Sequence, residues 1–130
     1  VEDGSDTLPS ALFFPESRPP IYGRLAQASF FEGVEGRFMR SLKRLLGTDL
    51  MNWGTLVNGR PRRFDDLMAG FIAHLKAAGE AYAQTPLDSA VIGRPVHFID
   101  GDAGADNVAE TQLHAIARAA GFRHIAFQYE

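Results

Sequence analysis

The stretch Phe38-Met39-Arg40-Ser41-Leu42-Lys43-Arg44-Leu45-Leu46-Gly47 places an adjacent lysine and arginine among apolar residues and ends on glycine. Lysine is a compact charge on a flexible stem, so Lys43 has the chemistry to reach from a short helix towards a phosphate. The plainer alternative is a solvated surface cation. Asp100, Asp102 and Asp106 could offer oxygen ligands to a hard cation, but Ala105 stands where a calcium loop needs glycine and Thr111 where it needs glutamate. A solvated acidic loop is the better reading. His97, His114 and His124 are scattered, His74 has no second histidine four residues on, and no H-E-x-x-H pair exists for zinc. None of Ser10, Ser29, Ser41 and Ser89 sits in a G-x-S-x-G elbow. A G-x-x-x-x-G-K-S/T phosphate loop is absent, and Gly101 and Gly104 lack the first glycine of a G-x-G-x-x-G set.

The elements that must position these residues follow from periodicity and turn chemistry. Leu8–Phe14 is a short apolar strand candidate with Pro9 near its start, and Ile21-Tyr22-Gly23 adds a very short strand. Arg24–Phe31 reads as a brief helix, and Gly33 and Gly36 bracket a loop. Phe38–Leu46 is expected to be a second short helical stretch, with Gly47 supplying the left-handed residue at its end. Asn58-Gly59 is a hairpin turn between Thr55–Val57 and Arg60–Arg62. The clearest helix spans about Phe64–Tyr82, with Leu67, Met68, Phe71, Ile72, Leu75, Ala78 and Tyr82 on one face.

Ser89–Gly93 lacks alternation, as expected of a strand covered on both faces. Asn107 with Glu110 suggests a capping box opening a helix through Ala109, Leu113, Ile116, Ala117 and Ala120 to Gly121. Ile125, Phe127 and Tyr129 then alternate in a final strand. Strand, helix, strand at this spacing is a βαβ unit with parallel pairing. The expected fold class is therefore α/β, or α+β.

Composition narrows the function classes. The chain has 130 residues, 45% hydrophobic and 22% charged, enough for one domain with a core. A formal charge of −3 and a pI near 5.8 give no reason to expect nucleic-acid or membrane binding. The basic run Arg60-Pro61-Arg62-Arg63 is short and followed at once by Asp65 and Asp66, which favours a solvated turn. Without cysteine, disulfides and thiolate metal sites are excluded, which suits a reducing cytoplasm. No apolar run approaches the roughly 18 residues of a membrane span. The acidic start, Val1 to Asp6, does not resemble a signal peptide, and the missing initiator methionine suggests an excised piece of something larger.

Five fragments, in order across nearly the whole chain, resemble the ATPase domain of DnaK-type heat-shock chaperones. Leu8-Pro9-Ser10-Ala11-Leu12-Phe13-Phe14 resembles the family's "T-P-S" strand, and Ile21-Tyr22-Gly23-Arg24-Leu25-Ala26 its "x-V-G-x-x-A" helix start. Ser41-Leu42-Lys43-Arg44-Leu45-Leu46-Gly47 is close to "A-K-R-L-I-G", and Ala90–Phe98 follows "A-V-I-T-V-P-A-Y-F". Ala119-Ala120-Gly121-Phe122 through Tyr129-Glu130 is similar to "x-A-G-L" leading to "N-E-P". Tyr129 replaces the family's asparagine, His97 its tyrosine, and Glu110 stands where an ungapped match puts its arginine. These departures point to a divergent DnaK-like subfamily.

The resemblance implies an internal portion of an actin-like, ribonuclease H-like ATPase domain, spanning residues 1–130 and incomplete at both ends. A βαβ unit and a cleft-side subdomain with the long helix and hairpin would make up this portion. It implies that Lys43 positions and polarises the attacking water, and that Glu130 contacts magnesium through water. It implies that Pro95 takes part in signalling to a substrate domain. ATP and magnesium would serve the intact parent, with neither expected in this portion alone. Client polypeptides and co-chaperones would be the parent's partners, and exposed sheet edges could support self-association. Two alternatives are a non-catalytic interaction module and a piece of a cytoskeletal or sugar-kinase relative.

Overall fold

The computed structural model describes residues 2 and 4–129; Glu130 lies outside them. The apolar run near the start becomes β1, Ala11–Pro15, buried along its whole length. It begins at Ala11 rather than Leu8. β1 is the middle strand of three, paired antiparallel with β2 (Ile21–Tyr22) and β3 (Gly36–Arg40). Helix α1 spans Arg24–Phe31, as expected, and packs Ala26 against Ala11 and Phe13.

The helix expected over Phe38–Leu46 is corrected. Phe38 lies opposite Phe13 and Met39 opposite Leu12, so cross-strand pairing claims these residues for β3. Ser41 then turns the chain with a left-handed φ of 61°, and only Leu42–Leu45 coils, as a 3-10 helix. Gly47 takes the expected left-handed conformation at φ 83°, and a second 3-10 turn covers Asp49–Asn52.

Asn58 and Gly59 join β4 (Gly54–Val57) to β5 (Arg60–Arg63) with φ values of 52° and 79°, the sign a tight hairpin turn requires. The Asn58 amide also donates to the carbonyls of Phe14 and Pro15, at 3.1 and 3.0 Å, tying the hairpin to β1. Helix α2, Phe64–Ala83, buries Leu67, Met68 and Phe71. Its predicted apolar face ends early: Tyr82 is 93% exposed, because the core that covers the helix reaches only as far as Ile72.

β6 (Ser89–Arg94), α3 (Ala103–Ala119) and β7 (His124–Tyr129) form the βαβ arrangement, with β6 and β7 parallel. Burial of β6 on both faces is not found. In a two-stranded sheet only the face of Ala90, Ile92 and Arg94 is covered, whereas Ser89, Val91 and Gly93 are exposed. The cap of α3 is also corrected: Asp102, one turn before Asn107, accepts the Ala105 N–H at 2.9 Å.

Among the described residues the result is a small mixed α/β structure of three α-helices and three small open sheets. Two main core clusters meet along α2. Leu67 and Phe71 join Leu12, Phe14, Met39 and Leu42, while Met68 joins Leu46, Met51, Leu113 and Ile116. Among the described residues, no helix is long and apolar enough to cross a membrane.

Candidate functional site

The turn carrying Lys43 is anchored on both sides, and each anchor enters a different core cluster. Leu42 joins the first and Leu46 the second. Full burial of a leucine contributes roughly 1.5–3 kcal/mol, enough to hold a single 3-10 turn that has little stability of its own. Gln112 of α3 secures the next residues. Its Oε1 accepts the Gly47 N–H at 2.8 Å, and its Nε2 donates to the Thr48 carbonyl at 3.2 Å. A Cβ at Gly47 would come within 2.9 Å of the Ala105 carbonyl, so both the close approach of α3 and the positive φ call for glycine here.

Lys43 and Arg44 are exposed, and among the described residues neither side chain has a hydrogen-bond or ion-pair partner. Both border a cavity of about 770 Å³ between β1, this turn, α2 and β6. Leu12, Leu42, Phe71, Leu75 and Val91 give it apolar walls. A third cation on its lining, Lys76, is engaged with Glu80 at 2.9 Å. Among the described residues no carboxylate lines it. An uncompensated positive rim over low-dielectric walls attracts anions to the mouth.

Pro95 borders the same cavity, so Lys43 and Pro95, 52 positions apart in the numbering, face one space. Glu130 falls outside the described residues; the residue before it, Tyr129, pairs with Arg94, the neighbour of Pro95. Arg44 is not on a separate face from Lys43, since both border the cavity.

Three contributors have roles that the sequence reading does not assign. Gln112 holds the Lys43 turn. Asp106 is buried and fixes the segment after Pro95: its Oδ1 accepts the Phe98 and Ile99 N–H groups at 2.7 and 3.3 Å, and its Oδ2 accepts from His97 Nδ1 at 2.9 Å. The His97 hydrogen bond does most to lower the pKa of this carboxyl. Desolvation opposes it, and the two amides add to the lowering. Asp106 therefore holds the loop, and the expectation of a solvated acidic loop is corrected at this residue, which is buried by its hydrogen bonds to the chain. Glu110 serves as an ion-pair partner of Arg94 rather than as a capping residue. The only local signals are the clustered aspartates and the arginine beside proline. Among the described residues, no group of three His, Asp or Glu side chains could hold a metal ion.

As for chemistry, Lys43 can present a charge at the cavity mouth. Its walls are mainly the side chains of sheet and helix faces, and the sequence has no glycine-rich phosphate loop to add. The chain matches no protein-family model.

Proposed function

We propose that this chain is a portion of the ATPase domain of a divergent DnaK-like chaperone, with Lys43 as the residue that orients and polarises the attacking water. The observation that carries this reading is the placement of Lys43. Its neighbours Leu42 and Leu46 are buried in two separate clusters, while its own ammonium group is unpaired among the described residues and borders the same cavity as Pro95. Phosphoryl transfer depends on positioning and on neutralising charge, and a pinned turn with a free cation supplies both.

Magnesium would supply further neutralisation of phosphate charge when bound, with Glu130 as its contact through water. Pro95 passes the state of the cleft to a substrate domain. Clients and co-chaperones engage the whole protein, in the cytoplasm. The portion alone does not turn over ATP, because it lacks the phosphate cradles.

The test is single-turnover hydrolysis, with nucleotide affinity measured in parallel, in an ATPase containing this segment with its flanking phosphate loops. Lys43→Ala should lower the hydrolysis rate on the order of 10²-fold or more while leaving nucleotide affinity much less changed. Arg44→Ala, at the same cavity, should cost far less, because the role belongs to one placed ammonium and not to local positive charge. Equal effects from the two substitutions would reduce Lys43 to a rim cation.

A further inference from the structure

A second polar arrangement lies beside the cavity, and Lys43 takes no part in it. Arg94 is the last residue of β6 and is only 5% exposed. Its guanidinium makes an ion pair with Glu110 of α3. Its Nε donates to the Pro95 carbonyl at 3.1 Å and its Nη2 to the Val96 carbonyl at 3.2 Å. The same group lies 4.9 Å from the Phe98 ring centroid and 5.0 Å from that of Tyr129. One side chain thus touches the loop after β6, helix α3 and the end of β7.

Taken together, these contacts call for arginine. A planar cation can meet aromatic rings and still donate in its own plane, which a lysine ammonium cannot reproduce. Burial makes the arrangement stringent, because a desolvated charge that loses a partner is costly to leave in place. The Tyr129 ring is itself 66% exposed, so it can be displaced from outside, whereas the cation beneath it cannot simply move into water.

We propose that Arg94 is a positioning residue that couples the Pro95 loop to the C-terminal end of β7. A shift of Tyr129 removes one of the contacts that hold the guanidinium, and the guanidinium in turn holds the carbonyls of Pro95 and Val96. The functional meaning rests on the ATPase reading, in which Glu130 follows Tyr129 and Pro95 follows Arg94. The positional coupling itself needs no nucleotide.

The experiment is hydrogen exchange of this chain at neutral pH, followed at the Phe98 and Ile99 amides and at β7. Tyr129→Leu should speed exchange at Phe98 and Ile99 by about fivefold to tenfold, although both amides are bound to Asp106 and not to Tyr129. Coupling is reciprocal, so Phe98→Leu should likewise speed exchange near Phe127 to Tyr129. Arg94→Lys keeps the charge but loses the fork and the planar stacking. In that background, adding Tyr129→Leu should change loop exchange little. An effect of Tyr129→Leu confined to β7 overturns the proposal, as does one of equal size in the wild-type and Arg94→Lys backgrounds. Neither result bears on Lys43, and a null result for Lys43→Ala in hydrolysis would leave this coupling intact.

Discussion

Lys43 and Arg94 are cations of neighbouring segments around one cavity, and the fold treats them in opposite ways. Arg94 is buried and committed to a carboxylate, two carbonyls and two aromatic rings. Lys43 is exposed and its side chain has no partner among the described residues, while Leu42 and Leu46 on either side of it are buried. At the arginine, charge holds the structure together. At the lysine, apolar burial holds the structure and leaves the charge free. A cation kept unpaired on a pinned turn is available for work, whereas one that is fully engaged is architecture.

The largest expected effect tests the apolar half of this contrast. Leu46 is 3% exposed in the second cluster. Leu46→Ala should cost about 2–5 kcal/mol, read as a lower urea midpoint, because the cavity it leaves can collapse only in part. A loss below about 1 kcal/mol would mean that Leu46 burial is not what fixes the turn.

The next effect tests the charged half. Asp106 clamps the segment just beyond Arg94, and its carboxyl is held below the usual range, chiefly by the His97 hydrogen bond. A carboxyl with a depressed folded-state pKa contributes stability that is fully present above its unfolded value, about 4, and is lost as pH falls through its folded value. Acidification from about pH 5 towards pH 2 should therefore loosen the Phe98 and Ile99 amides and lower the thermal midpoint. Asp106→Asn should be less stable at neutral pH and show a shallower acid slope. An unchanged slope in Asp106→Asn would remove the carboxylate from its role as clamp.

The contrast also explains which parts can be read from sequence. α1, α2, the Asn58-Gly59 hairpin and the βαβ unit are written in local periodicity and turn chemistry, and they appear close to where those signals put them. Phe38 and Met39 look helical in isolation, but their partners, Phe13 and Leu12, lie more than twenty residues away and override that local pattern. The Gln112 clamp on Gly47 spans 65 residues, and nothing near either residue announces it. For Lys43, the local sequence supplies the residue type and its place between apolar neighbours. The cavity beside it is not legible, because six separate stretches of the chain line it. Arg94 is marked locally only by the proline after it, and its role appears only when α3 and β7 are brought to the end of β6.

The smallest expected effect is the most discriminating. Lys43→Ala removes an exposed side chain with no partner among the described residues, so stability should change by no more than about 0.5 kcal/mol in urea unfolding. Alanine also suits a short helical turn, and the Leu42 and Leu46 anchors remain. A loss well above about 1 kcal/mol would reveal a structural duty for the lysine and weaken its contrast with Arg94. Near-neutrality matters for the chemistry as well. If the substitution leaves the turn folded, any loss of hydrolysis can be assigned to the missing charge, since the scaffold that would have placed it is still there.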